Sequence, residues 1–188
     1  MVFEKKRRID LTPQELVTKG FSPELAVFFT SMLPIIELRG ALPLAINLFH
    51  FHWSKAFILS FSGNLLPIPF ILFLLQPAVR FLQRIKLFAS FFNWLFTRTK
   101  KKGKIVERYQ EIGLAIFVAI PLPATGAWTG AILAALLGMK FKKSLFAIAV
   151  GVFIAGVIVT TLCLLGWLGA VIAGAALIIL AAFGLWRF

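Results

Sequence analysis

The chain has 188 residues, 60% of them hydrophobic and 14% charged, with 20 Lys and Arg against 7 Asp and Glu for a net charge of +13. Soluble domains average about 45–50% apolar and 25% charged residues, so this composition excludes an ordinary water-soluble fold. Excess positive charge on so apolar a chain fits a membrane protein with basic flanks; the Lys and Arg clusters carry no nucleic-acid-binding motif, and no nucleic-acid partner is expected.

The charges fall in blocks separated by long apolar gaps. Between Lys55 and Arg80 lie 24 uncharged residues, between Glu111 and Lys140 lie 28, and between Lys143 and Arg187 lie 43. A crossing helix needs about 20 apolar residues, so the last gap has room for two spans joined by a turn near Gly166. The expected fold is an all-α integral membrane protein, with a basic amino-terminal segment at 1–23 and one membrane domain at 24–188. Within that domain we read a first repeat at 24–79, a basic interfacial linker at 80–111, a second repeat at 112–166 and a last transmembrane helix at 167–188.

In chain order, Met1 to Gly20 is polar and lacks the apolar core of a cleavable signal, so insertion through the protein's own spans is expected. Ser22, Pro23 and Glu24 read as a helix start, with a capping hydroxyl, a proline in the first turn and an early acid. The apolar segment behind them is punctuated by Pro34, Gly40 and Pro43, which predicts two half-helices meeting at a break near Glu37 to Gly40. Non-helical backbone at membrane depth survives only inside protein or beside a wet cavity. His50 and His52 close the segment; a His-x-His pair without further ligands is poor evidence for a metal, and they read as interfacial. A span over Ala56 to Val79 follows, in which Asn64 is expected to hydrogen-bond between helices.

Arg80 to Arg108 holds nine Lys and Arg. Its run LFASFFNWLF is too short to span and reads as an interfacial helix or as a solvated loop over the bundle. The second apolar region has Pro121 and Pro123 near its middle, then Thr125, Gly126, Thr129 and Gly130, and predicts a re-entrant hairpin. The order of break, landing, span and mid-span glycine recurs at a shift of about 87: Pro34 to Gly63 is 29 residues and Pro121 to Gly151 is 30. Broken hydrophobic segments in matching halves point to a transporter built as an inverted repeat, with its site between two re-entrant hairpins. Positive charge places the amino terminus, the linker and Lys140 to Lys143 on the cytoplasmic side of a multi-pass protein of the cell (plasma or inner) membrane. The second hairpin would then enter from the cytoplasm and the first from outside.

Glu37 and Arg39 are the ionisable residues well inside an apolar stretch. A charge at the bilayer centre costs about 2.5–3.5 kcal/mol on insertion scales and usually marks a pathway or ligand site. The alternative is a structural ion pair; residues two apart do not share a helix face, so a direct contact would need an unwound chain. As a site, Arg39 offers a fork of donors to phosphate or carboxylate, and Glu37 can exchange a proton. The second hairpin offers a half-helix amino terminus near Thr125, whose free amides attract anions, beside the hydroxyls of Thr125 and Thr129; its glycines equally suit tight helix packing. Trp128 is either a pocket wall or a lipid-facing anchor. Gly151, Ala155, Gly156, Gly169, Ala173 and Gly174 suit close helix packing, within the chain or in a homo-oligomer. Cys163 reads as a buried, inert thiol without an intrachain disulfide. There is no catalytic constellation, so neither enzyme activity, cofactor nor metal is expected.

The strings PIIELRGALPLAI at Pro34 to Ile46 and PLPATGAWTGA at Pro121 to Ala131 resemble the paired signatures of the "putative small multidrug export protein" family, and more remotely the DedA/VTT (SNARE-associated Golgi) membrane proteins. The resemblance covers roughly Phe28 to Leu165. For the broader superfamily it implies facing re-entrant hairpins in an inverted repeat, and proton-coupled transport or translocation of undecaprenyl phosphate and phospholipids. By position it assigns Glu37 and Arg39 to the first hairpin and Pro121 to Gly130 to the second. The DedA pattern also has an arginine in the second hairpin, and this chain has none between Glu111 and Lys140. The expected function is a transporter or lipid translocase for an anionic, phosphate-bearing amphiphile, with membrane lipids as partners. Its site would comprise Glu37, Arg39, Gly40, Pro43, Pro121, Pro123, Thr125, Gly126, Trp128 and Thr129, with proton coupling at Glu37. The alternatives are an exporter of lipophilic cations held by Glu37, and a membrane scaffold without cargo.

Overall fold

The computed structural model describes residues 22–82, 103–122 and 125–175. Residues 1–21 of the basic amino-terminal segment, the LFASFFNWLF run, Pro123 and residues 176–188 of the expected last transmembrane helix lie outside the described residues. Those described form helices α1 (Pro23–Met32), α2 (Glu37–Pro43), α3 (Trp53–Leu65), α4 (Pro67–Leu82), α5 (Gly103–Ala119), α6 (Ala127–Leu136) and α7 (Phe141–Leu164), then a helical stretch at 167–175. Among the described residues there is no strand.

Local chemistry sets the helix ends. The Ser22 hydroxyl accepts the Leu25 amide at 3.4 Å and Pro23 opens α1. Leu33 is extended, as the residue before a proline prefers, and α1 stops there. The first break therefore occupies positions 33 to 36, one turn earlier than expected, and Gly40 is helical. Proline ends a helix by sterics and a missing amide, whereas a mid-helix glycine only weakens it. Beyond Pro43 the chain makes a single π-helical turn, Leu44–Leu48. Gly166, at φ +58°, makes the turn expected after α7.

Two stretches are long and apolar enough to cross a membrane: Trp53–Val79, comprising α3 and most of α4 on either side of a turn at Leu66, and α7. Their outer faces carry exposed aromatic residues, with Phe70, Phe73 and Phe146 all more than two-thirds exposed, the reverse of a soluble domain. The core is drawn from every helix, with Val27, Leu38, Leu42, Ile68, Leu114, Val118 and Ile148 fully or almost fully buried. Phe57 and Phe153 join α3 to α7, ring centroids 5.5 Å apart.

Both broken segments fold back to the end at which they start. Lys55, at the head of α3, pairs with Glu24, at the head of α1, at 2.8 Å. Lys143, at the head of α7, pairs with Glu111 of α5 at 2.6 Å. Gly63 of α3 lies against Ser31 and the Phe28 carbonyl of α1, and Gly151 of α7 lies against Val118 and the Ala115 carbonyl of α5. Glu24 and Glu111, Phe28 and Ala115, and Ser31 and Val118 are each 87 positions apart; Lys55 and Lys143, and Gly63 and Gly151, are 88 apart.

The Gln76 side-chain amide donates to the Met139 carbonyl at 3.2 Å, which sets the far part of α4 beside the connection between α6 and α7. The two hairpin mouths thus lie at opposite ends of the α3–α4 rod.

Candidate functional site at the facing hairpin breaks

Helix α5 ends where Pro121 cannot supply the next amide, and its last carbonyls lose their partners. The Leu122 amide turns back to the Ile120 carbonyl at 2.8 Å, which leaves the Val118 carbonyl free. Arg39 of the other hairpin collects these groups. Its Nη2 donates to the carbonyls of Val118 at 3.1 Å, Ile120 at 3.1 Å and Thr125 at 3.0 Å, and its Nη1 donates to that of Leu122. A planar guanidinium suits such a cluster, and a cation suits the negative end of the helix dipole. The Thr125 hydroxyl adds bonds to the Ile120 and Leu122 carbonyls at 2.7 and 3.0 Å.

Beyond the break, α6 begins at Ala127 with Gly126 as its N-cap, and Gly126 has no side chain to cap with. Glu37 supplies the missing anion from the other hairpin. Its Oε1 accepts the Trp128 amide at 3.3 Å, and a β-carbon at Gly126 would overlap its carboxylate. This is the chemistry of an N-cap acid delivered from a different helix. Glu37 is only 5% exposed and its φ is +50°, a left-handed backbone that costs a non-glycine residue about 1–2 kcal/mol. A backbone bond from its amide to the Leu33 carbonyl at 3.0 Å holds that conformation.

The acid and the base therefore do not pair with each other. Among the described residues, ion pairs form at the two hairpin mouths, Lys55 with Glu24 and Lys143 with Glu111. The half-helix expected near Thr125 starts at Ala127, and the anion at its end is Glu37 itself. Trp128 is an inter-hairpin link, its indole N–H donating to the Met32 carbonyl at the end of α1 at 3.0 Å. The Thr129 hydroxyl donates to the Gly126 carbonyl at 3.0 Å. Gly40 sits on α2 against Ile36. Asn64 is buried, but its Oδ1 has no partner among the described residues, so the expected interhelical bond from that atom is missing. Cys163 is half-buried. Among the described residues no group of His, Cys, Asp and Glu could hold a metal ion.

Two cavities flank this contact. One, of about 360 Å³, is lined by Pro34, Ile35, Glu37, Arg39, Gly40, Pro121 and Thr129, among others. The other, of about 490 Å³, runs from Arg39, Pro43 and Asn47 along Ile158, Leu162 and Cys163 to the helical stretch at 167–175. Arg39, Pro121 and Leu122 wall both. Sequence reasoning missed Asn47 and the end of α7; a polar Asn47 in an apolar run was the available signal, whereas Ile158 and Leu162 resemble any other span residues.

No curated protein and no solved structure matches the chain. The family model described as "Putative small multi-drug export protein" matches residues 37–158, a stretch that opens at Glu37 and takes in Arg39, the second break and most of α7. The chain, a helical membrane protein, belongs to that family of export proteins.

Proposed function

We propose that the chain is a multi-pass exporter of the cell membrane that moves an anionic amphiphile past the contact between its two hairpins. The observation that carries this reading is the larger cavity: its walls are mostly apolar, and Arg39 is the charged residue lining it. Its volume lies within the range of small-molecule sites, about 300–1,000 Å³. Hydrocarbon fits the walls, and a phosphate or carboxylate fits the guanidinium.

Arg39 is engaged with carbonyls in this closed arrangement, so an anionic head group has to compete for its donors. Binding and release of the second break are then one event, which links occupancy to opening. Protonation of Glu37 would weaken its hold on the start of α6 and supplies a route for proton coupling. In this reading the hairpins are re-entrant, since α1, α2 and α6 are too short to cross a bilayer at 1.5 Å per residue. The recurrence at 87 to 88 positions and the mouths at opposite ends of the α3–α4 rod support an inverted repeat, with membrane lipids as partners.

One observation favours a second reading, export of lipophilic cations: Glu37 lines the smaller cavity. Proteoliposomes loaded with a fluorescent anionic amphiphile or with a lipophilic cation separate the two. Wild type is expected to move the anion, and Leu162→Trp, which fills the larger cavity while leaving the hairpin contact intact, to stop it. Cation movement that survives Leu162→Trp and needs Glu37 would replace the first reading with the second. Movement of neither probe would favour a scaffold.

A further inference from the structure

Beneath the hairpin contact lies a cavity of about 10 Å³, lined by Glu37, Arg39, Asn64, Val118, Ala127 and Val152 among others. Asn64 enters it from α3, 3% exposed, with an Oδ1 that has no hydrogen-bond partner among the described residues. A space of that size admits one water molecule and nothing larger, and an unpartnered buried polar atom on a residue that lines it is what such a water binds. A metal cation is disfavoured because Arg39, a fixed positive charge, is among the residues that line the same small space.

We propose that this cavity binds a single structural water that donates one hydrogen bond to Asn64 Oδ1 and the other to the Glu37 carboxylate. Asn64 is then a positioning residue for Glu37, acting through the water. Among the described residues, α3 makes no direct hydrogen bond to the second break, so the water is the polar link between the spanning rod and the contact of the hairpins. Val118, Ala127 and Val152 close the remaining walls with apolar atoms and hold it in place.

The test is a density map of the full chain in lipid nanodiscs at a resolution that shows waters. One peak within hydrogen-bond reach of both the Asn64 amide and the Glu37 carboxylate is expected. An empty cavity overturns the proposal, as does a peak with the short, multiple oxygen contacts of a metal ion. The positioning role is read by hydrogen exchange in Asn64→Leu, whose side chain displaces the water. The amides at 127 and 128, which face Glu37, are expected to exchange roughly tenfold faster, while peptides around Gly151 keep their wild-type rate. Unchanged exchange at 127 and 128 in a folded variant overturns that role. Should the variant not fold, the wild-type map alone decides.

Discussion

Glu37 and Arg39, two positions apart on one hairpin, cap opposite electrical ends of the same interruption in the other: the carboxylate meets the amide end of α6 and the guanidinium meets the carbonyl end of α5. Such an arrangement explains how both charges are tolerated at depth. Burying a charge costs about 2.5–3.5 kcal/mol on insertion scales, whereas each hydrogen bond to a charged group contributes about 1.5–3 kcal/mol. With four carbonyls on Arg39, the bonds outweigh the burial. An ion pair between the two side chains would have left the ends of both α5 and α6 unsatisfied.

Arg39→Met leaves four carbonyls without that donor and is expected to lower stability in detergent by about 2–4 kcal/mol. Arg39→Lys keeps the charge but loses the planar fork, and is expected to recover no more than about half of that loss. Thermal unfolding of the purified variants checks both values. An unchanged midpoint for Arg39→Met would mean that the carbonyls find other donors.

Gly126→Ala pushes a methyl group into the Glu37 carboxylate. It is expected to cost about 1–2 kcal/mol in the wild type and almost nothing in a Glu37→Gly background, a coupling that a double-mutant cycle measures. Because Glu37 is left-handed, Glu37→Gly should be more stable than Glu37→Ala by about 1 kcal/mol, although both lose the carboxylate. The opposite order would argue against a strained backbone there.

Gly63→Ala and Gly151→Ala each drive a β-carbon into the backbone carbonyl of a neighbouring helix and are expected to cost about 1–3 kcal/mol. Gly113, in the middle of α5, has nothing within 4 Å of its would-be β-carbon, so Gly113→Ala should gain up to about 1 kcal/mol. Unfolding of the three variants side by side separates glycines that permit close packing from one that does not.

The apolar gaps, an interruption in the first apolar segment, the interruption at Pro121 and the turn at Gly166 were legible in the sequence, because length, a missing amide and backbone freedom are properties of a residue and its immediate neighbours. The place of the first break, at 33 to 36 instead of near Glu37 to Gly40, came from the structure. The recurrence of Pro34 and Gly63 as Pro121 and Gly151 was legible for the same reason. What Glu37 and Arg39 do was decided only by the tertiary structure. The groups they satisfy lie 79 to 91 residues further along. A proline announces locally that carbonyls will be freed, but which charge reaches them depends on how two distant hairpins dock, and the unpartnered Oδ1 of Asn64 follows from that same docking.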